Sequence, residues 1–319
     1  MNETLAKVPV LVTGGAGFIG GHLVQALVEA RARVRVLDDF SAGAEGNLPA
    51  NGVEVLRGDV RKVSDCAKAA AGCTVVFHLA ALGSVPRSME EPELYNEVNV
   101  GGTLNVLEAA RAAGVRRMVY SASSSAYGDT QVLPKVETMT PMPMSPYAIT
   151  KLAGEYYCRV FAKVHGVETV SLRYFNVFGP RQNPRSQYAA VVPAFISALL
   201  EKRPPTIYGD GEQTRDFCFV ANVVKANLLA AAATRKFSGE VVNIACGERI
   251  SLNAMLAKMQ EILGTRIAPV YLVARAGDVR DSLADIRAAG ELLGYEPEVL
   301  FEEGLKQTVA AYVSKANER

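Results

Sequence analysis

Apolar residues alternate along the first half of the chain in two periods. Short β-branched runs at 8–13, 34–38, 53–57, 74–79, 118–122 and 167–173 read as strands, and Ala/Leu-rich stretches at 19–30, 63–71, 94–113 and 146–165 read as helices. Strands that are apolar throughout, each followed by a helix, imply a parallel sheet covered on both faces. Beyond residue 176 the alternation loosens. Strand signals shorten to 205–208 and 240–244, and helices are expected at 221–232, 252–263, 284–293 and 301–313. The chain divides on this reading into a parallel-sheet domain, 1–176, and a smaller lobe, 177–319, whose segments weave back to the sheet.

Composition narrows the function classes. A 49% hydrophobic chain of 319 residues can bury a large core, and 34 basic against 33 acidic residues leave no field for nucleic acid or an anionic membrane surface. Any bound anion must be held by local groups. The apolar run at 8–19 is broken by glycines and lacks a cleavage site, so no signal peptide is expected, and 191–200 is too short to span a membrane. Five cysteines without CxxC or metal spacing predict reduced thiols in a cytoplasmic protein. His22, His78 and His165 have no ligand partner at useful spacing, so no metal is expected, and Arg111, Arg116 and Arg117 read as a solvated helix end and loop.

The first strand runs directly into Thr13-Gly14-Gly15-Ala16-Gly17-Phe18-Ile19-Gly20 and then a helix. Gly14 suits a tight turn, Gly17 a close backbone approach to a pyrophosphate, and Gly20 close helix–strand packing, while the helix N-terminus favours phosphate charge. The second strand ends at Asp38, 24 residues beyond Gly14, followed by Asp39, Phe40 and Ser41. A carboxylate there accepts hydrogen bonds from a ribose diol and repels a 2′-phosphate, so NAD is expected rather than NADP. Asp59 and Val60, then Leu79, Ala80 and Ala81, follow the third and fourth strands and would wall a dinucleotide groove.

Chemistry enters after the fifth strand. Ser121 leads to Ser123-Ser124-Ser125, and Ser145-Pro146-Tyr147-Ala148-Ile149-Thr150-Lys151 follows about twenty residues on. Ser145 suits a helix N-cap and Pro146 the first helical position, which sets Tyr147 and Lys151 on one face. Alone this spacing is weak; after a nucleotide fold and a serine-rich strand end it points to a phenol activated by an ammonium and a positive ring, with Ser123 on the proton path.

With these residues in place, the chain resembles the extended short-chain dehydrogenase/reductase family over essentially its whole length. The blocks HLAALGSVPRS (78–88), SASSSAYGD (121–129), SPYAITK (145–151), LRYFNVFGPRQ (172–182), YGDGEQTRDF (208–217) and GDVRDSLAD (277–285) are similar to bacterial UDP-N-acetylglucosamine and UDP-glucose 4-epimerases. The resemblance implies a Rossmann-type doubly wound α/β fold with an interwoven C-terminal substrate lobe. It implies a UDP-hexose 4-epimerase that works through a 4-keto sugar with tightly bound NAD. Ser123, Tyr147 and Lys151 become the catalytic set. Asn99, Ser121 and Tyr174 fall near the cofactor. Ser84, Arg87, Ser124, Ser125, Asn176, Ala190, Val191, Tyr208, Arg215 and Arg275 fall around the UDP-sugar, with Arg215 and Arg275 as the diphosphate clamp. Gly83 departs from those relatives that carry a lysine there. Ser282 matches a position beside the C2 substituent, where a small residue leaves room for an N-acetyl group; as a plain sequence feature it also suits a helix N-cap. A homodimer built on 94–113 and 146–165 is implied by the same resemblance, although sheet packing explains an apolar stripe equally.

Two other readings stand beside this one. A UDP-glucuronate 4-epimerase or decarboxylase would need a cation for the sugar carboxylate, which Arg87, Arg181 or Arg185 could supply. A dinucleotide-sensing regulator would need no Ser/Tyr/Lys set. A 4,6-dehydratase is disfavoured because Ser124 and Ser125 stand where its acidic pair belongs.

Overall fold

The computed structural model describes residues 2–183, 190–274 and 279–317. Its strands are β1 Pro9–Thr13, β2 Arg33–Asp38, β3 Val53–Arg57, β4 Val75–His78, β5 Arg117–Ser123, β6 Glu168–Tyr174, β7 Val177–Phe178, β8 Thr206–Tyr208, β9 Thr214–Arg215, β10 Cys218–Phe219, β11 Glu240–Ile244, β12 Ile250–Ser251 and β13 Val270–Leu272. Seven of them form one sheet in the order β11-β6-β5-β4-β1-β2-β3, parallel throughout. The chain winds outward from β1 in both directions, which makes this a Rossmann-type doubly wound fold. The reversal between β1 and β4 opens a crevice at the strands' C-terminal ends.

Side-chain alternation supplies the two cores. Val10, Val12, Val34, Val36, Val75, Phe77 and Val119 face the helices Phe18–Glu29 and Val220–Ala232. Leu11, Leu37, Val76, Met118 and Tyr120 face Val63–Ala70, Gly102–Ala112 and Pro146–His165. Burying one apolar side chain contributes about 1.5–3 kcal/mol, and strands covered on both faces collect that twice along their length.

A third core lies beyond β6, where Phe178, Phe217, Phe219 and Phe301 stack with ring centroids 5.4–6.1 Å apart against the helices Val191–Leu200, Leu252–Leu263 and Phe301–Asn317. The chain returns from this lobe to the main sheet as β11, which pairs with β6. No described helix is long and apolar enough to cross a membrane.

Three local expectations are corrected. The helix expected at 94–113 is Pro92–Tyr95, a π-helical turn Asn96–Gly101, and then Gly102–Ala112. A Cβ on Gly102 would lie 2.6 Å from Val60 Cγ2, and the wider turn carries Asn99 inward. The helix expected from 284 begins only at Arg287. Arg117 is not solvated: it is 0% exposed, paired with Glu168 and donating to the carbonyls of Ala230, Ala231, Ala233 and Arg235.

Candidate active site

The glycine turn is shaped as its sequence requires. Gly14 has φ +69°, and a Cβ there would lie 2.6 Å from Ala80 N; one on Gly20 would lie 2.1 Å from Gly14 O. Gly17 N-caps the following helix without a side-chain bond, which leaves the helix N-terminus to a ligand. The turn borders a cleft of about 350 Å³. Phe18, Ile19, Asp38, Asp39, Ser41, Asp59, Val60, Leu79, Ala80, Ala81 and Ser121 line it with the three glycines. Leu37, Ala42, Gly43, Leu82 and Val98 also line it and were missed; only the run of small residues at 41–44 hinted at them.

Asp38 is buried at the end of β2, its Oδ2 accepting from Ala16 N–H and its Oδ1 from Phe40 N–H, each at 2.8 Å. Burial raises its pKa more than these bonds lower it. Asp39 Oδ1 accepts from Ser41 N–H and Oγ, and Phe40 sits under the Arg57 guanidinium 5.1 Å away. Asp59 is ion-paired with Arg61 at 2.6 Å, which holds its carboxyl below the usual range. Asn99 lies behind the cleft wall. Its Oδ1 accepts from Leu82 N–H, and its Nδ2 donates to Leu82 O and Thr150 Oγ1.

A buried histidine braces this wall from behind. His78 lies between Thr13 Oγ1 at 2.7 Å and Thr103 Oγ1 at 2.9 Å. Thr103 donates its own proton to Asn99 O, so His78 must carry the proton on Nε2 and accept at Nδ1. Burial, with the nearby Lys151, lowers its pKa to about 3.

β5 delivers Ser123 to the top of the sheet. Its Oγ accepts from Ser125 N–H at 3.2 Å and from Ser125 Oγ at 2.9 Å, within the 3₁₀ turn Ser124–Tyr127. Facing it is the helix Pro146–His165, whose Ser145 cap accepts from Ala148 N–H. Tyr147 stands in its first turn and Lys151 one turn on. The interaction of the Tyr147 hydroxyl with Ser123 lowers its pKa against the larger raising effect of burial. Lys151 Nζ donates to Ser121 O at 2.8 Å and lies 5.2 Å from the Tyr120 ring. Burial brings its pKa down to about 8, so it remains largely protonated at neutral pH. The arrangement is a phenol–hydroxyl pair with a buried ammonium bonded to Ser121 of the cleft wall.

The remaining residues surround this pair unevenly. Tyr174 closes β6 with its hydroxyl on Asn227. Asn176 has φ +29° and donates to Asp216 O. Ser84 N-caps the helix Val85–Glu90, and Arg87 is paired with Glu91 at 2.8 Å. Ser124 is partly buried in the 3₁₀ turn; Ala190 caps Val191–Leu200, and Tyr208 ends β8. Arg215 Nη1 donates to Thr214 O and Arg280 O. Arg181 donates to Asn47 O. Ser282 is 5% exposed and is not a helix cap: its N–H donates to Thr214 O, extending the pairing of Thr214 with Arg280. Arg275 and Arg185 lie outside the described residues. The five cysteines are buried and unbridged, and no cluster of metal-ligating side chains occurs among the described residues.

The family model for the NAD dependent epimerase/dehydratase family matches residues 10–245. A putative UDP-glucose 4-epimerase of Methanocaldococcus jannaschii is 38% identical over 302 residues, covering 94% of this chain and 97% of the relative. Two solved structures superpose with TM-scores of 0.93 at 39% identity. One is a UDP-N-acetylglucosamine 4-epimerase of Methanobrevibacter ruminantium in complex with UDP-N-acetylmuramic acid, with 97% of this chain and 99% of that one covered. The other is a UDP-glucose 4-epimerase of Thermotoga maritima with UDP-glucose, with 97% and 100% covered. The glycine turn, the free helix N-terminus and the Asp38 carboxylate fit a dinucleotide, and the match spans the strands that carry them. The chain belongs to the NAD dependent epimerase/dehydratase family, within the extended short-chain dehydrogenases/reductases, and its cofactor is NAD.

Proposed function

We propose that the protein is a UDP-hexose 4-epimerase that interconverts gluco and galacto UDP-sugars through a 4-keto intermediate and accepts N-acetylated sugars. The observation that carries this reading is the convergence of Tyr147 on Ser123 with Lys151 buried one helical turn away. Bound NAD supplies the acceptor and donor for the C4 hydride. Tyr147 takes the 4-hydroxyl proton and later returns it, Ser123 holds the same hydroxyl, and Lys151 stabilises the phenolate. The base needs this help because burial alone moves Tyr147 the wrong way.

The remaining assignments belong to the same proposal. The glycine turn and helix N-terminus hold the pyrophosphate of NAD, and Asp38 holds its adenosine ribose. Arg215, Arg275 and Asn176 hold the substrate diphosphate, Tyr208 flanks the uracil, and Ser124 and Ser125 line the sugar. Ser282 leaves room at C2, a reading favoured by its burial in an extended segment, where it caps no helix. A homodimer is part of the same proposal, supported by Ile149, Tyr156, Val160 and Val164, which form an exposed apolar stripe on the helix Pro146–His165 opposite its sheet-facing side.

Purified protein incubated with UDP-glucose, UDP-galactose, their N-acetylated counterparts and UDP-glucuronate, with chromatography of the products, tests the assignment. Gluco/galacto interconversion of both plain and N-acetylated sugars is expected. Turnover confined to UDP-glucuronate would move the assignment to the uronate enzymes, and no turnover of any UDP-sugar would overturn it. Ser282→Tyr is expected to abolish conversion of the N-acetylated sugars selectively while sparing the plain hexoses.

A further inference from the structure

Asp216 is 0% exposed, yet no cation is paired with it among the described residues. Its carboxylate is instead a knot of backbone bonds. Oδ1 accepts from Cys246 N–H at 3.0 Å, and Oδ2 accepts from Gly247 N–H and Ala284 N–H, each at 3.1 Å. Its own carbonyl accepts from Asn176 Nδ2 at 3.2 Å. Three separate stretches are thereby tied to β9: the segment after β6 that carries Asn176, the loop after β11, and the segment 282–284. Arg215 adjoins Asp216 in the chain. Ser282, two residues before Ala284, is bonded back to Thr214.

We propose that Asp216 is a positioning residue for the substrate, whose buried carboxylate ties Arg215 and Ser282 to the loop after β11 while its backbone carbonyl holds Asn176. The inference rests on the UDP-sugar reading above and adds a residue that touches no ligand itself. Three short backbone strands with two-residue pairings have little rigidity of their own; one carboxylate with two oxygens and several lone pairs can accept from all three donors at once. No neutral side chain of that size can. An asparagine must turn its NH₂ toward at least one backbone N–H and lose that bond.

The same logic makes the knot sensitive to protons. Burial outweighs the backbone donors and raises the Asp216 pKa to about 6. The titratable groups packed around it are the Cys218 and Cys246 thiols and the Tyr295 phenol; the contact with Cys246, then burial, hold Cys218 neutral, and burial holds Tyr295 neutral. Arg215 points its Nη1 at the carbonyls of Thr214 and Arg280, and Glu248 meets the carboxylate through its backbone. Protonation turns one oxygen into a donor facing a donor, as the amide does.

The test is steady-state kinetics of the NAD-loaded enzyme. Asp216→Asn is expected to raise KM for the UDP-hexose about tenfold or more, with kcat within about threefold and NAD content unchanged, the equivalent of roughly one backbone bond lost from the clamp. In the wild type, KM is expected to rise as pH falls through about 6, a window in which the diphosphate diester of the substrate does not titrate, and the variant's KM should be flat there. An unchanged KM in a folded variant, or kcat and NAD content falling while KM holds, overturns the proposal. If the variant does not fold, the wild-type profile decides: a flat KM overturns it. A wild type inactive on every UDP-sugar defeats the functional reading instead, whereas an active wild type with an unresponsive Asp216→Asn defeats only this inference.

Discussion

Replacing Arg117 by methionine is expected to cost stability without touching chemistry. The guanidinium gives two donors to Glu168 at 2.9 and 2.5 Å and others to the carbonyls of Ala230, Ala231, Ala233 and Arg235 at 2.7–3.2 Å, and it lies 4.8 Å over the Phe237 ring. Three of those carbonyls close or follow the helix Val220–Ala232, where a cation also meets the negative end of the helix dipole. Methionine fills much of the volume and supplies none of the donors. Breaking a buried pair costs about 3–5 kcal/mol. Glu168 retains some solvent contact and can rehydrate, so we take ~3 kcal/mol, the low end. At about 2.1 cal/mol/K per residue, a chain of 319 residues gains roughly 0.7 kcal/mol/K on unfolding, so that loss lowers Tm by about 4–5 °C. Scanning calorimetry with urea unfolding measures it. Ser123 stands at the far end of β5, roughly 20 Å along the strand, and kcat should be retained. A Tm within about 1 °C of wild type would refute the argument and return Arg117 to the solvent.

Tyr147→Phe should lower kcat by ~10²-fold or more with substrate binding nearly intact, because it removes a proton-transfer group; near-normal turnover would assign the base elsewhere. Asp38→Ala should narrow the preference for NAD over NADP in binding titrations and weaken NAD binding too, since the carboxylate also anchors Ala16 and Phe40. Tighter binding of NADP than NAD by the unmodified protein would contradict the ribose assignment. His78 is neutral in the fold, with a pKa of about 3 against an ordinary value of 6.5, so its contribution is present in full above pH 6.5 and is lost as pH falls toward 3, at up to about 1.4 kcal/mol per pH unit. Urea unfolding across that range should show a shallower slope in His78→Gln, and identical slopes would mean that the imidazole is solvated.

The nucleotide half of the fold was legible because its information is local. β1 through β6 are runs whose alternate residues meet different helices, Gly14 is required by its own positive φ and Gly20 by contacts within one turn, and Ser145 caps the helix that its own sequence announces. Arg117 was read with Arg111 and Arg116 as part of a solvated helix end and loop, whereas its partners lie 51 to 118 residues away, and nothing within a helical turn of it reports them. Ser282 was open to reading as a cap for the same reason: a serine before Leu283-Ala284-Asp285 satisfies the local rule, and only pairing with Thr214 excludes it. The π-helical turn was hidden because 94–113 is apolar at helical spacing on both sides of the insertion.

This difference in information also divides the site by the kinetic effect of damage. Ser123, Tyr147 and Lys151 are held by a strand end and a single helix, each of which folds around contacts near in sequence or in the main sheet. In the proposed mechanism their replacement removes reacting groups and leaves the frame standing. Asn176, Arg215 and Ser282 lie in or beside two-residue strands and an isolated bridge that have no register without one another, and Asp216 joins this region to Cys246, Gly247 and Ala284 across 30, 31 and 68 residues. Loss of a long-range tie there moves several contacts by small amounts and removes none. Chemistry should therefore fail through kcat at the sheet and through KM in the lobe, and the two classes of variant should combine additively in free energy, because no hydrogen bond or ion pair directly joins Asp216 to the Tyr147–Lys151 helix among the described residues.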